Sequence, residues 1–253
     1  MDYSGPLEPS SSILSALHLA HATHIPFENL DILLGRAILL DLDSVQAKLV
    51  KGKRGGYCFE QNRLFATVLT ELGFSVTPLA ARVRYRTTLV LPRTHMTLLV
   101  TVDGQTWLAD VGFGAEGLLL PIPFVPGQPT TQFVWTYRLV VDAGYWVLQS
   151  LHDGAWEDLY AFTEEPQHPI DYEVANHYTS THPESRFVHT LTAQSLTPTC
   201  RTILRNLDLV EDFGTTVTRR TVGEGEELLA VLADTFNLHF PSGTRFTYRV
   251  PIV

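Results

Sequence analysis

Near Val76 the spacing of apolar residues changes period, and that change constrains the fold more than any other feature of the chain. Upstream, apolar residues recur at helical spacing. Ser10 to Ser12 offer N-caps to a helix carrying Ile13, Leu14, Leu17 and His21. Asp41 or Asp43 can start a second through Val45, Leu49 and Val50. A third follows Gly55-Gly56, with Phe59, Leu64, Phe65, Val68, Leu69 and Leu72 on one stripe and Gly73 at the position past its end. Downstream the period is two. Met96–Val102 and Val134–Val141 alternate like half-buried strands, and Asp103-Gly104, Asp142-Ala143-Gly144 and Asp153-Gly154 punctuate them as hairpin turns. Glu226–Phe236 reads as a helix and Phe246–Val250 as a closing strand. Helices followed by successive hairpins predict an α+β protein with an antiparallel sheet or barrel.

Composition narrows the functional classes. With 18 Lys plus Arg against 27 Asp plus Glu, the net charge of −9 argues against a nucleic-acid partner, which needs a basic face. The apolar run near Leu118–Val125 is broken by two prolines, and nothing approaches the roughly 20 residues that span a bilayer. The first residues, Met1 to Pro6, lack the basic start and apolar run of a signal peptide. Two cysteines, Cys58 and Cys200, cannot build a disulfide framework, so a reduced, cytoplasmic setting without a membrane is expected.

Cys58 sits in Arg54-Gly55-Gly56-Tyr57-Cys58-Phe59-Glu60-Gln61-Asn62, where a glycine turn leads into a helix. Free amides and the dipole at that helix end favour a thiolate, the nucleophilic form. Cys200 has no comparable setting. A base for the thiol follows from strand register. If Asp103-Gly104 is a two-residue turn, Val102 faces Gln105 and His95 falls opposite Gly112, on the face shared with Asp110. A diagonal neighbour at roughly 7–8 Å is within reach of an imidazole and a carboxylate. Gly112 then leaves room opposite His95. Asp110 interrupts the apolar series Trp107, Leu108, Ala109, Val111 and Phe113, and a buried carboxylate needs a partner. Cys58 as nucleophile, His95 as base and Asp110 as the group orienting His95 form a triad able to carry an acyl group as a thioester. The Phe59 amide is a candidate to stabilise the oxyanion.

These residues resemble the arylamine N-acetyltransferases. The resemblance rests on Ile25-Pro26-Phe27-Glu28-Asn29-Leu30, the segment around Cys58, Thr94-His95-Met96, Leu108–Gly114 and Ser180–Phe187, in order over residues 25–190. It implies a helical domain over residues 1–80 carrying the nucleophile, a β-barrel domain over 81–190 carrying His95 and Asp110, and an α/β lid over 191–253. It also implies acetyl-coenzyme A as donor and an arylamine, hydrazine or related amine as acceptor. Thr94, Phe113, Gly114 and Phe187 are then candidate contacts for the coenzyme, and Glu28 and Arg54 a pair supporting the glycine turn. The same triad would also serve a cysteine hydrolase or an amide synthase. His182, followed by Pro183, is restricted to extended backbone and reads as structural. The spacing of His177, His182 and His189 fits no helical ligand pair, so no metal is expected.

Overall fold

The computed structural model describes residues 3–248 of the chain. Helix α1 (Ser11–His24) begins where the Ser10 hydroxyl accepts from the Ile13 amide, one of the helix's unpaired N–H groups. Strand β1 (Phe27–Glu28) and the single turn α2 (Leu30–Leu33) follow. Asp41 caps α3 (Leu42–Val45), which widens into a π-helical turn over Gln46–Lys51. Helix α4 (Cys58–Glu71) is the third predicted helix, and Gly73 terminates it at φ +91°, a conformation costly for any residue with a Cβ.

The strands are β2 (Ser75–Val83), β3 (His95–Val102), β4 (Gln105–Ala109), β5 (Ile122–Pro123), β6 (Thr130–Gln132), β7 (Trp135–Asp142), β8 (Tyr145–His152) and β9 (Ala155–Pro166). They form one antiparallel sheet in the order β5-β4-β3-β2-β9-β8-β7-β6. Asp103-Gly104, Ala143-Gly144 and Asp153-Gly154 all take positive φ, which matches two-residue turns to the twist of their strands. The edges of the sheet are drawn together by one side chain. Gln132 on β6 accepts from the amides of Leu119 and Leu120 and donates to the Leu120 carbonyl, just ahead of β5. The interior of this rolled sheet is filled by Leu79, Ala81, Leu108, Tyr137, Leu148, Tyr160 and Phe162.

Helix α5 (Pro169–Thr181) and a 3₁₀ turn (Arg186–Val188) lead to β10 (Thr192–Leu196), β11 (Arg201–Arg205), β12 (Asp208–Asp212), β13 (Val217–Thr221) and helix α6 (Glu226–Phe236). The second sheet runs β1-β10-β11-β12-β13, so a strand from the start of the chain forms its edge. Leu228, Leu232 and Phe236 of α6 pack with Leu204 and Leu209 of this sheet. No strand forms over Phe246–Tyr248. There Thr247 instead donates its amide to the Leu33 carbonyl, which ties the segment to α2; the end of the predicted strand, 249–250, lies outside the described residues. Among the described residues no helix is long and apolar enough to cross a membrane.

Helix α4 places Phe59, Phe65 and Leu69 against Met96, Leu98 and Val100 of β3. Helix α1 lies against α4, and two of its histidines are enclosed completely. His21 donates from Nε2 to Gln61 Oε1 at 2.6 Å, and both His18 and His21 have rings edge-on to Phe65. Burial pulls His18 and His21 down from 6.5 to about 4. The sign follows from linkage: a histidine held neutral stabilises the fold fully above its unfolded value of 6.5, and that contribution is lost as the pH falls through about 4. Together they lower stability by up to about 3 kcal/mol per pH unit across that window. Urea unfolding at pH 6.5 and pH 5 checks this, and His21→Gln should flatten the slope by about half.

Candidate active site

Tyr57 is the last residue before α4, and Glu60 Oε2 accepts its amide at 3.0 Å, so the helix starts with Cys58 in its first turn. The preceding glycine turn is pressed against the Pro26–Glu28 segment. Gly56 donates to the Pro26 carbonyl, and Glu28 donates back to the Gly56 carbonyl. A Cβ on Gly55 would come within 2.1 Å of the Pro26 oxygen, so only glycine fits. Cys58 is buried, and its Sγ donates to the Thr94 carbonyl at 3.6 Å.

His95 opens β3 and Asp110 follows directly on β4. Their side chains meet at 2.6 Å, from His95 Nε2 to Asp110 Oδ2. The predicted register holds, since Val102 faces Gln105. The ladder nevertheless ends at Leu98–Ala109, so Gly112 has left the strand and is not opposite His95. Its lack of a side chain has another cause: a Cβ there would lie 2.7 Å from the Cys58 Cα and 2.7 Å from Asn62 Nδ2. Gly112 makes room for the helix that carries Cys58, and not for His95.

The electrostatics follow from enclosure. Burial by itself would lower His95, but the Asp110 carboxylate and the neighbouring Cys58 outweigh it and push the imidazole up to about 10. Burial would raise Asp110, and the His95 charge, the Asn62 amide and the Gly112 N–H overcome it and hold the carboxyl below its usual range. The Asp110 carboxylate thus favours the protonated ring of His95, which lies between that carboxylate and the Cys58 sulfur. Asn62 is a residue the sequence reading did not assign. It donates to Asp110 Oδ1 (2.9 Å) and to the Met96 carbonyl (2.7 Å) and accepts from the Val111 amide. Its signal was available, because it stands one helical turn after Cys58 and shares its face.

Glu28 and Arg54 do meet. Glu28 Oε1 accepts from Arg54 Nη2 at 2.6 Å, and Oε2 accepts from the Leu30 amide at 2.6 Å. The pair belongs to a larger cluster. Arg54 also reaches Asp31, while Lys48 joins Asp31 Oδ2 (3.0 Å) to Glu60 Oε1 (2.8 Å). Glu60 in turn holds the Tyr57 amide, so the cluster braces the glycine turn from both sides. Asp31 and Lys48 carried no sequence signal, because their partners lie on separate elements.

The other predicted residues scatter around this centre. The Thr94 carbonyl touches Cys58, and the Phe113 ring stands edge-on to His95 at 5.1 Å. Tyr160, not anticipated, packs against both rings, 4.7 Å from the imidazole and 5.1 Å from Phe113. Gly114 has φ +89° and faces Gln194 Oε1, which accepts the Ala115 amide. Phe187 is one ring further out, against Tyr57 (5.7 Å) and Phe27 (6.1 Å). His182 ends α5 in extended backbone and stacks on Tyr178 at 4.4 Å. Cys200 lies on a turn, away from these groups, with Thr202 as its neighbour. Among the described residues no group of His, Cys, Asp and Glu is arranged to hold a metal.

This geometry has close parallels. A family model for N-acetyltransferases matches residues 12–244. The arylamine N-acetyltransferase of Escherichia coli K12 is 40% identical over 241 residues, covering 94% of this chain and 86% of that protein. That of Mycobacterium tuberculosis H37Rv is 42% identical over 219 residues, covering 83% and 76%. The solved structure of the M. tuberculosis arylamine N-acetyltransferase superposes with a TM-score of 0.91 at 36% identity, covering 94% of this chain and 90% of that one. The Mycobacterium marinum arylamine N-acetyltransferase, solved in complex with CoA, superposes with a TM-score of 0.89 at 32% identity, covering 92% and 89%. A match that runs through all the elements holding Cys58, His95 and Asp110 places the chain in the arylamine N-acetyltransferase family.

Proposed function

We propose that this chain transfers an acetyl group from acetyl-coenzyme A to an arylamine, arylhydrazine or related amine through a thioester on Cys58. The observation that carries the reading is an enclosed His95 held between the Asp110 carboxylate and the sulfur of Cys58, which stands in the first turn of α4. Asp110 occupies Nε2 of His95, so the proton of Cys58 is exchanged with Nδ1. The thiolate attacks the donor carbonyl, a tetrahedral oxyanion forms, and the C–S bond to coenzyme A breaks as that sulfur takes the proton from His95. The amine nitrogen then attacks the acetyl-enzyme, its proton passes to His95, and the Cys58 thiolate leaves. The first amides of α4, that of Phe59 among them, lie where the helix dipole favours negative charge and serve the oxyanion.

In this reading residues 1–80 supply the nucleophile, 81–190 the base and its carboxylate, and 191–253 a lid. Thr94, Phe113, Gly114 and Phe187 border the space in which donor and acceptor meet. Glu28 and Arg54 act indirectly, by holding the turn that presents Cys58. The enzyme works as a cytoplasmic protein, without nucleic acid or membrane as partner.

Intact-protein mass spectrometry after brief exposure to acetyl-coenzyme A tests the route. Wild type should gain one acetyl group, an arylamine should discharge it, and Cys58→Ala should gain none. Discharge by water as fast as by amine would instead indicate a hydrolase. For the supporting pair, Glu28→Gln removes the charge that Arg54 requires in a nearly closed site, and losing one partner of such a pair costs about 3–5 kcal/mol. The expected result is a lower thermal midpoint together with slower acetylation of Cys58. An unchanged midpoint and rate would remove Glu28 from the support of the turn.

A further inference from the structure

Beyond Ala109 the chain leaves its ladder, and the irregular stretch up to β5 carries Asp110, Gly112 and Phe113 past the reactive centre. Backbone groups in such a stretch have no strand to pair with, yet several are enclosed, and an enclosed unpaired amide is costly. Other elements supply their partners. Gln194 of β10 accepts the Ala115 amide, Tyr137 of β7 donates to the Gly117 carbonyl, and Gln132 of β6 accepts from Leu119 and Leu120. At the beginning and near the end of the stretch the partner is one side chain. His18 Nε2 accepts from the Asp110 amide at 3.1 Å, and His18 Nδ1 donates to the Leu119 carbonyl at 3.0 Å.

That pair of bonds sets the state of the ring. An amide can only donate and a carbonyl can only accept, so the proton is on Nδ1 and Nε2 presents its lone pair. The imidazolium, with N–H on both nitrogens, would point a donor at the Asp110 amide. The ring is wholly enclosed, edge-on to Phe65 on α4 at 5.5 Å, and burial holds it neutral. Asp110 therefore has its carboxylate fixed by His95, Asn62 and the Gly112 amide, and its own amide fixed by α1.

We propose that His18 is a positioning residue for acyl transfer: as a neutral Nδ1–H imidazole it clips together Asp110 and Leu119 and so sets the carboxylate against His95. The inference rests on the roles given above to Cys58, His95 and Asp110. If the clip is lost, Asp110 holds the imidazolium less well, and the thiolate–imidazolium pair forms only at higher pH.

The test is the rate of Cys58 carbamidomethylation by iodoacetamide as a function of pH, read by mass spectrometry, beside kcat and KM for acetyl transfer. His18→Phe keeps a ring against Phe65 and removes both bonds. It should raise the midpoint of the alkylation profile by about one pH unit and lower kcat about tenfold, with the acceptor KM unchanged. His18→Gln, whose amide offers one donor and one acceptor, should return the midpoint to within about half a pH unit and kcat to within about threefold of wild type. A folded His18→Phe protein with the wild-type midpoint and kcat overturns the inference, as does an equal loss of kcat in both variants with no shift of the midpoint. Should His18→Phe not fold, ¹⁵N correlation spectra of the wild-type histidines decide: an Nδ1–H tautomer of His18 throughout the pH range of the profile supports the clip, and an Nε2–H tautomer or imidazolium overturns it. A wild-type profile with the midpoint of a free thiol, roughly pH 8.5, would instead sink the proposed triad itself.

Discussion

A carboxylate with almost no contact with water is the constraint from which this architecture follows. Asp110 is stable there only because four groups from different parts of the chain converge on it: the His95 imidazolium, the Asn62 amide, the Gly112 N–H and, on its backbone, His18. An isolated buried charge would instead neutralise or force the site open. Satisfying Asp110 therefore fixes α1, α4, β3 and the chain after β4 relative to one another. Cys58 is placed almost as a by-product, since α4 carries both Asn62 and Cys58.

The same logic recurs one layer back. Glu28, Asp31 and Glu60 are matched by Arg54, Lys48 and Arg36, and this cluster braces the glycine turn as His95, Asn62 and the Gly112 amide hold the Asp110 carboxylate. The site is thus built from two compensated clusters with Cys58 between them. Little of the precision resides in the apolar core. Its Phe, Leu and Tyr side chains exclude water and so strengthen the ionic contacts, but they do not choose the geometry.

Much of this was legible in the sequence where the physics is local. The turn residues at Asp103-Gly104 set the β3–β4 register, and that register was enough to bring His95 to Asp110. Gly55-Gly56 and the apolar stripe after it located the start of α4 and hence Cys58. The sequence carries no such mark where the cause is remote. Gly112 was explained by the wrong neighbour, because the approach of α4 cannot be read from a hairpin. Phe246–Tyr248 has strand-like composition, yet its backbone finds a partner on α2. His18 gives no signal in the sequence, since a histidine on a helix carries no local mark of the backbone groups it will meet. Asp31 and Lys48 were invisible for the same reason.

A strand of only two residues has a long reach. Phe27 and Glu28 pair with Gln194 and Ala193 while Phe27 also bridges to Gly56, and Asn29 exchanges hydrogen bonds with Thr192 across 163 residues of chain. The turn that presents the thiol is therefore finished by a segment made long after it. During synthesis Cys58 leaves the ribosome early, but its setting is incomplete until β10 has emerged and closed over β1. A chain lacking that strand leaves the Phe27–Glu28 segment, against which the glycine turn is pressed, without its partner.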